Sequence, residues 1–182
     1  MGIDGLPRQK FHQENQSIGR IRKESAQAAQ ARKRDGERPD YLETFIWPTI
    51  GPISGVYSSQ RILNSQALRP HFGVDVAAPA GSNVVAPASG LITLPHQDMF
   101  FSEGTIILDH GHELSSTFLH LSQLLINKGD VVKQGDLISQ VGATGRVTGV
   151  HLDWRMNVFK RRVDPQLLVS PMESLIKPIN KN

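Results

Sequence analysis

The sequence predicts a mainly β fold preceded by a short helical arm, and three observations carry that expectation. From Phe45 onward, short apolar stretches alternate with Gly, Pro, Asn and Asp at intervals of about 8–12 residues, the rhythm of an all-β chain. Turn-forming pairs recur between these stretches: Ala80-Gly81, Ser89-Gly90, His110-Gly111, Lys128-Gly129 and Gln134-Gly135, each able to supply the positive φ of a tight turn. Aromatic residues make up only 6% of a chain that is 38% hydrophobic, so the core must rest on Val, Ile, Leu and Ala.

Taken in order, residues 1–44 form a polar, basic arm. Residues 1–40 hold nine Lys or Arg against six acids, which accounts for the whole formal net charge of +3. Within the arm, Ser17–Arg34 is rich in helix formers and poor in apolar residues, which predicts a solvated or loosely docked helix. Its basic residues lack aromatic interleaving, so nucleic acid is not the expected partner. Residues 45–170 form the main domain, with strands expected at Gly55–Tyr57, Gly73–Ala77, Asn83–Ala86, Gly90–Leu94, Thr105–Asp109, Ser115–His120, Leu137–Val141 and His151–Asn157. Leu121–Ile126 reads as a helical turn, and residues 171–182 as a C-terminal tail.

Several functional classes are excluded at once. With 182 residues and no Cys, the chain has no disulfide, no thiolate zinc ligand and no thiol nucleophile. Any metal must be held by His, Asp or Glu. No apolar run approaches the roughly 18 residues of a membrane span. The start, MGIDGLPRQK, lacks the apolar stretch of a signal peptide, so an exported protein would need a leader upstream of Met1. The glycine-rich run GATGRVTG at 142–149 lacks the Lys-Ser/Thr end of a phosphate loop and reads as a tight turn set by Gly142, Gly145 and Gly149.

Two His/Asp pairs stand out among the seven histidines. His71 and Asp75 occur in HFGVD, where the neighbouring Gly73, Val74 and Val76 favour a loop entering a strand. His151 and Asp153 occur in HLDW; on a strand both point to one side, and Leu152 and Trp154 to the other. Two such pairs from separate strands of one sheet can converge on a cation, and His nitrogen with carboxylate oxygen suits zinc. Trp154 is expected in the core. Arg155 shares the face of His151 and Asp153, where it can meet a substrate carboxylate or neutralise Asp153. His110 and His112 flank Gly111 in a hairpin turn and read as structural, His12 in the arm has no visible partner, and His96 belongs to loop surface or lines a substrate groove.

Five ordered motifs then carry a resemblance. They are GVYSSQR, HFGVDVAAPAGSNVVAPASG, TIILDHG with TFLHLS, GDVVKQGDLISQVGATG, and TGVHLDW. From about Phe45 to Val169 the chain resembles the lysostaphin-type, or LytM-domain, zinc metallopeptidases, and its WRMNVFKRRVDPQLL segment resembles Gram-negative members. The resemblance implies an antiparallel β-sheet groove or sandwich. It also implies one Zn²⁺ per chain, held by His71, Asp75 and the residue at Asp153, with metal-bound water as nucleophile. His120 and His151 fall at the positions of the two catalytic histidines. The third ligand of the family is the second His of an HxH pair, and here it is Asp153. An Asp oxygen and a His Nδ1 both lie two bonds from Cβ, so Asp can reach the same place. One His and two carboxylates bring a formal charge of −2, which implies a weaker Lewis acid and looser selectivity over other divalent metals. The implied substrates are peptidoglycan stem peptides, and the implied place of action is the periplasm or cell envelope. The alternative is a LytM-domain regulator that binds the wall or activates another hydrolase without turnover.

Overall fold

The computed structural model describes residues 17–60, 62–63, 66–67, 69–142 and 149–175. Gly145 and His12 therefore lie outside the described residues. The elements run α1 (Ile18–Ala31), β1 (Ile53–Gly55), β2 (Ile62–Leu63), β3 (Gln66–Ala67), β4 (Val74–Ala77), β5 (Asn83–Val85), β6 (Gly90–Met99), β7 (Glu103–Asp109), β8 (Leu114–Leu124), β9 (Val131–Val132), β10 (Leu137–Val141), β11 (His151–Val158) and β12 (Arg161–Val163). Single 3-10 turns occur at Asp40–Leu42, Pro165–Leu168 and Met172–Ser174.

Ten strands join one sheet in the order β1-β4-β11-β8-β7-β6-β9, with β10 bridging β8 and β5 and β12 flanking β11. All the pairings are antiparallel. β2 and β3 form a separate hairpin. Period-two alternation divides the sheet into two faces. One face carries Val74, Val76, Ile92, Ile106, Leu108, Phe118, Leu152, Trp154 and Met156, which join Phe45, Trp47 and Met172 in the main core. Trp154 is fully buried there, its ring T-shaped against Trp47 with centroids 5.8 Å apart, as its alternation away from Asp153 predicts. The hairpin between β7 and β8 turns on Gly111 at φ +88. His110 is buried beside it, bonded to the Ser89 carbonyl (2.8 Å) and the Ser116 hydroxyl (2.9 Å).

Helix α1 crosses the other face. It does so without an apolar stripe: Ala28 and Ala31 are small enough to lie close over Leu94, Met99 and Ile107. Glu24, buried in the contact, accepts from Arg20 Nε (2.6 Å) and from the Phe100 amide (2.8 Å), so its carboxylate is satisfied. Arg20 also pairs with Asp98 (3.0 Å) and Arg34 with Asp109 (3.1 Å). The helix is thus loosely docked, with most of its residues exposed and Glu24 its one buried side chain; that anchor is charged and therefore invisible to a hydrophobic pattern.

One expectation is corrected. Leu121–Ile126 is not a helical turn: β8 runs on to Leu124. Its apolar spacing at Leu121 and Leu124 mimics a helix, but the backbone of β10 pairs there, with Val141 opposite Leu121 and Ser139 opposite Leu124. Cross-strand hydrogen bonding overrides the local pattern.

Candidate metal centre

The centre lies where β4 and β11 run side by side. The register sets Asp153 directly opposite Asp75, and His151 opposite Ala77. Two carboxylates facing one another across an antiparallel pair repel, and Asp153 is 1% exposed. Such an arrangement persists only if positive charge compensates it. His71, buried and three residues ahead of β4, aims Nε2 between them, 3.1 Å from Asp75 Oδ1 and 3.4 Å from Asp153 Oδ2. That nitrogen nonetheless makes no well-aligned hydrogen bond. One ligand atom each from His71, Asp75 and Asp153 lies within 4.8 Å of the others. Three donor atoms that converge without hydrogen-bonding one another suit a cation at their centre.

Electrostatics agree with the geometry. Burial works against a charge on His71, but Asp153 and Asp75 outweigh it and raise its pKa. The two carboxylates thus favour positive charge at their meeting point. Burial pushes Asp153 up, yet Arg155 first and His71 next hold it well below the usual carboxylate range. Arg155 does so through two bonds, Nε to Oδ1 (2.8 Å) and Nη2 to Oδ2 (2.5 Å). Of the two roles open to Arg155 from its position on the strand, neutralising Asp153 is therefore realised.

Two glycines make room for these carboxylates, a role that sequence reasoning missed. A Cβ on Gly73 would stand 2.5 Å from Asp153 Oδ1 and 2.7 Å from Arg155 Cγ, and one on Gly55 would collide with Asp75 Oδ2. Both glycines occur in the ordered motifs, but nothing in their spacing says which atoms a side chain would meet.

The two remaining histidines stand beside the cluster. His151 Nε2 is 3.7 Å from Asp75 Oδ1, while its Nδ1 lies 2.9 Å from the Gly149 carbonyl. A proton on Nδ1 leaves the Nε2 lone pair facing the centre. His120 stacks edge-on to His151, ring centroids 5.2 Å apart. Burial lowers its pKa to about 4, with Asp153 opposing that shift and His151 adding to it, so the ring is neutral at ordinary pH. Its Nδ1 has no hydrogen-bond partner among the described residues. The backbone at His120 is left-handed, φ 64, next to an irregular register between β7 and β8. A local irregularity of this kind re-aims a side chain out of its pleat.

Five of the expected site residues, His71, Asp75, His120, His151 and Asp153, thus meet in one place, with Arg155 against Asp153. His96 does not join them. It lies half-buried on β6, three strands from β11 in the sheet order, and its Nδ1 accepts from the Asp98 amide (3.2 Å).

Comparison with known proteins bears on this site directly. The model for peptidase family M23 matches residues 69–165, which span every residue of the cluster. Peptidoglycan DD-endopeptidase ShyA of Vibrio cholerae is 32% identical over 112 residues, covering 62% of this chain and 26% of its own length. A peptidase M23 crystal structure from Pseudomonas aeruginosa superposes with a TM-score of 0.72 at 33% identity, over 84% of this chain and 62% of that one. A zinc-containing peptidase from Vibrio cholerae gives 0.62 at 29% identity, over 67% and 39%. The chain spans about a quarter of the length of the curated relatives it matches.

Proposed function

The chain belongs to peptidase family M23, and on that footing we propose that it hydrolyses peptide cross-links of bacterial peptidoglycan at a zinc centre held by His71, Asp75 and Asp153. The observation that carries this reading is the pair of opposed carboxylates on β4 and β11, one of them almost wholly buried, with the His71 nitrogen between them. The substrate class follows from the relative named a peptidoglycan DD-endopeptidase, and with it a place of action in the cell envelope.

Asp153 suits the role of third ligand even though Arg155 holds it. A carboxylate offers about four lone-pair positions, and a guanidinium fork uses two of them. Oδ2 therefore retains a lone pair for a cation on the His71 side. The charge also balances. Two carboxylates alone bring −2, but Arg155 returns one unit, leaving the −1 that two His and one Asp would give. Arg155 thus offsets the electrostatic difference that Asp makes in this position.

Zinc in this set supplies Lewis acidity to the scissile carbonyl and to an attacking water. His151, oriented through Gly149, takes the proton of that water on Nε2. His120, neutral and poor in solvent, donates a hydrogen bond to the developing oxyanion, and the proton taken up by His151 passes on to the leaving amine. The sheet face that carries these groups is the one α1 covers farther along, over Leu94 and Ile107.

A second reading, a regulator that binds the wall without turnover, draws on the same Arg155 contact, since a carboxylate fully committed to arginine would leave the metal one ligand short. Digestion of cross-linked muropeptides separates the two. Zinc-loaded protein is expected to release uncross-linked products, and His71→Ala or chelation to abolish them. Protein that binds wall fragments but neither takes up zinc nor cleaves would overturn the peptidase reading.

A further inference from the structure

Beside the metal cluster, a pocket of about 420 Å³ is lined by Arg69, Pro70, His71, Phe72, Arg155 and Arg162. Three of its six lining residues are arginines. They arrive from three places: the segment leading to His71, β11, and β12, where Arg162 pairs with Asn157. Arg162 Nη1 donates to the neutral Asn157 Oδ1 (2.8 Å), and Arg155 spends Nε and Nη2 on Asp153. Among the charged side chains acting on Arg162, Arg32 and Arg155 oppose its charge, while Asp153, whose oxygens Arg155 already holds, favours it. Burial first, then Arg32 and Arg155, work against the charge on Arg162. Arg32, at the end of α1, is likewise opposed by burial and by Arg155. A guanidinium keeps its proton under such pressure, so the opposition stands as positive potential, and a bound anion is what relieves it.

We propose that the Arg69–Arg155–Arg162 pocket is a carboxylate subsite that holds a free carboxylate of the substrate peptide next to the metal ligands. The proposal rests on the peptidase reading above for the identity of the ligand. His71 lines both the pocket and the metal cluster, so a carboxylate seated here lies within one residue's reach of the scissile bond. The planar forks of Arg69 and Arg162 suit a carboxylate geometrically. Pro70 and Phe72 give the adjoining carbon chain an apolar wall. A peptide whose carboxylate is amidated keeps its shape but loses these charge-assisted bonds. The subsite therefore selects substrates by the charge state of one group beside the cleaved bond.

The test is binding, which needs no turnover. Zinc-loaded protein is titrated calorimetrically with N-acetyl-D-alanine, which carries a chain-terminal carboxylate, and with N-acetyl-D-glutamic acid α-amide, which carries a side-chain carboxylate. The fully amidated form of each serves as the neutral match. At least one acid should bind roughly tenfold tighter than its amide, as expected for losing a charged hydrogen-bond pair, and which acid does so identifies the source. Arg162→Gln and the more exposed Arg69→Gln should each erase most of that preference while zinc affinity stays within about twofold. Equal binding of both acids and their amides, or a preference that survives both substitutions, would overturn the subsite. Failure of the protein to cleave muropeptides, with the preference intact, would count against the peptidase reading alone.

Discussion

Replacing Arg155 by Met should destabilise the metal-free protein far more than the zinc-loaded one. Asp153 has a side chain 1% exposed and Arg155 one 23% exposed, joined by bonds of 2.8 and 2.5 Å. Removing one partner of a buried pair costs about 3–5 kcal/mol, chiefly because the other charge is stranded. Arg155 is partly solvated and His71 still stands 3.4 Å from Asp153, so the low end, about 3 kcal/mol, applies here. Zinc at the His71–Asp75–Asp153 set would supply the missing counter-charge. Urea unfolding of R155M and the parent in chelator, then in excess zinc, reads the difference directly. The deficit should shrink to about 1 kcal/mol or less with zinc. The double variant D153N/R155M should recover most of the metal-free loss, since no charge is then stranded. A deficit of equal size with and without zinc would refute the idea that Asp153 serves both arginine and metal.

Three other outcomes follow from the site and its surroundings. Gly73→Ala pushes a methyl group into Asp153 Oδ1 and should lower zinc affinity at least tenfold by competition with a chelating dye, whereas Gly19→Ala, where nothing lies within 4 Å, should leave zinc affinity alone and add about 0.5 kcal/mol of stability. His120→Ala should reduce kcat on muropeptides by about 10²–10⁴-fold with zinc content unchanged; a parallel loss of zinc would make His120 a ligand. Acid should destabilise the fold through His110 and His120, both lowered from 6.5 to about 4 by burial. The unfolded chain takes up these protons first, so their contribution is complete above about pH 6.5 and disappears as pH falls toward 4, at about 1.4 kcal/mol per pH unit per histidine. Urea midpoints measured across that window should show the slope, and His110→Gln should remove about half of it.

Much of this centre is legible in the sequence because strand periodicity is rigid. HLDW places His151 and Asp153 on one face and Trp154 in the core, and the structure agrees for all three. The left-handed turn at Gly111 follows from glycine's access to positive φ, whereas the burial of His110 is made by Phe45 and the Ser89 carbonyl, both distant in the chain. Features decided by partners distant in the chain are not legible. β12 gains its meaning from pairing with β11, and β8 continues past Leu121 only because β10 lies alongside. The docking of α1 escapes a hydrophobic reading since its buried anchor is Glu24, held by Arg20 and the Phe100 amide. Arg155 shows the limit most clearly. Its face was evident from alternation, but the choice between Asp153 and a substrate carboxylate depends on side-chain geometry that spacing does not encode. The structure shows it bound to Asp153 and lining the neighbouring arginine pocket as well.

The most direct measurement is the zinc affinity of the wild-type chain and of Asp153→Ala, obtained by chelator competition with metal content verified on the purified proteins. Wild type should bind one zinc per chain, and Asp153→Ala should lose at least a hundredfold in affinity, with peptidase activity falling alongside. Equal affinity in the two proteins would contradict the His71–Asp75–Asp153 centre.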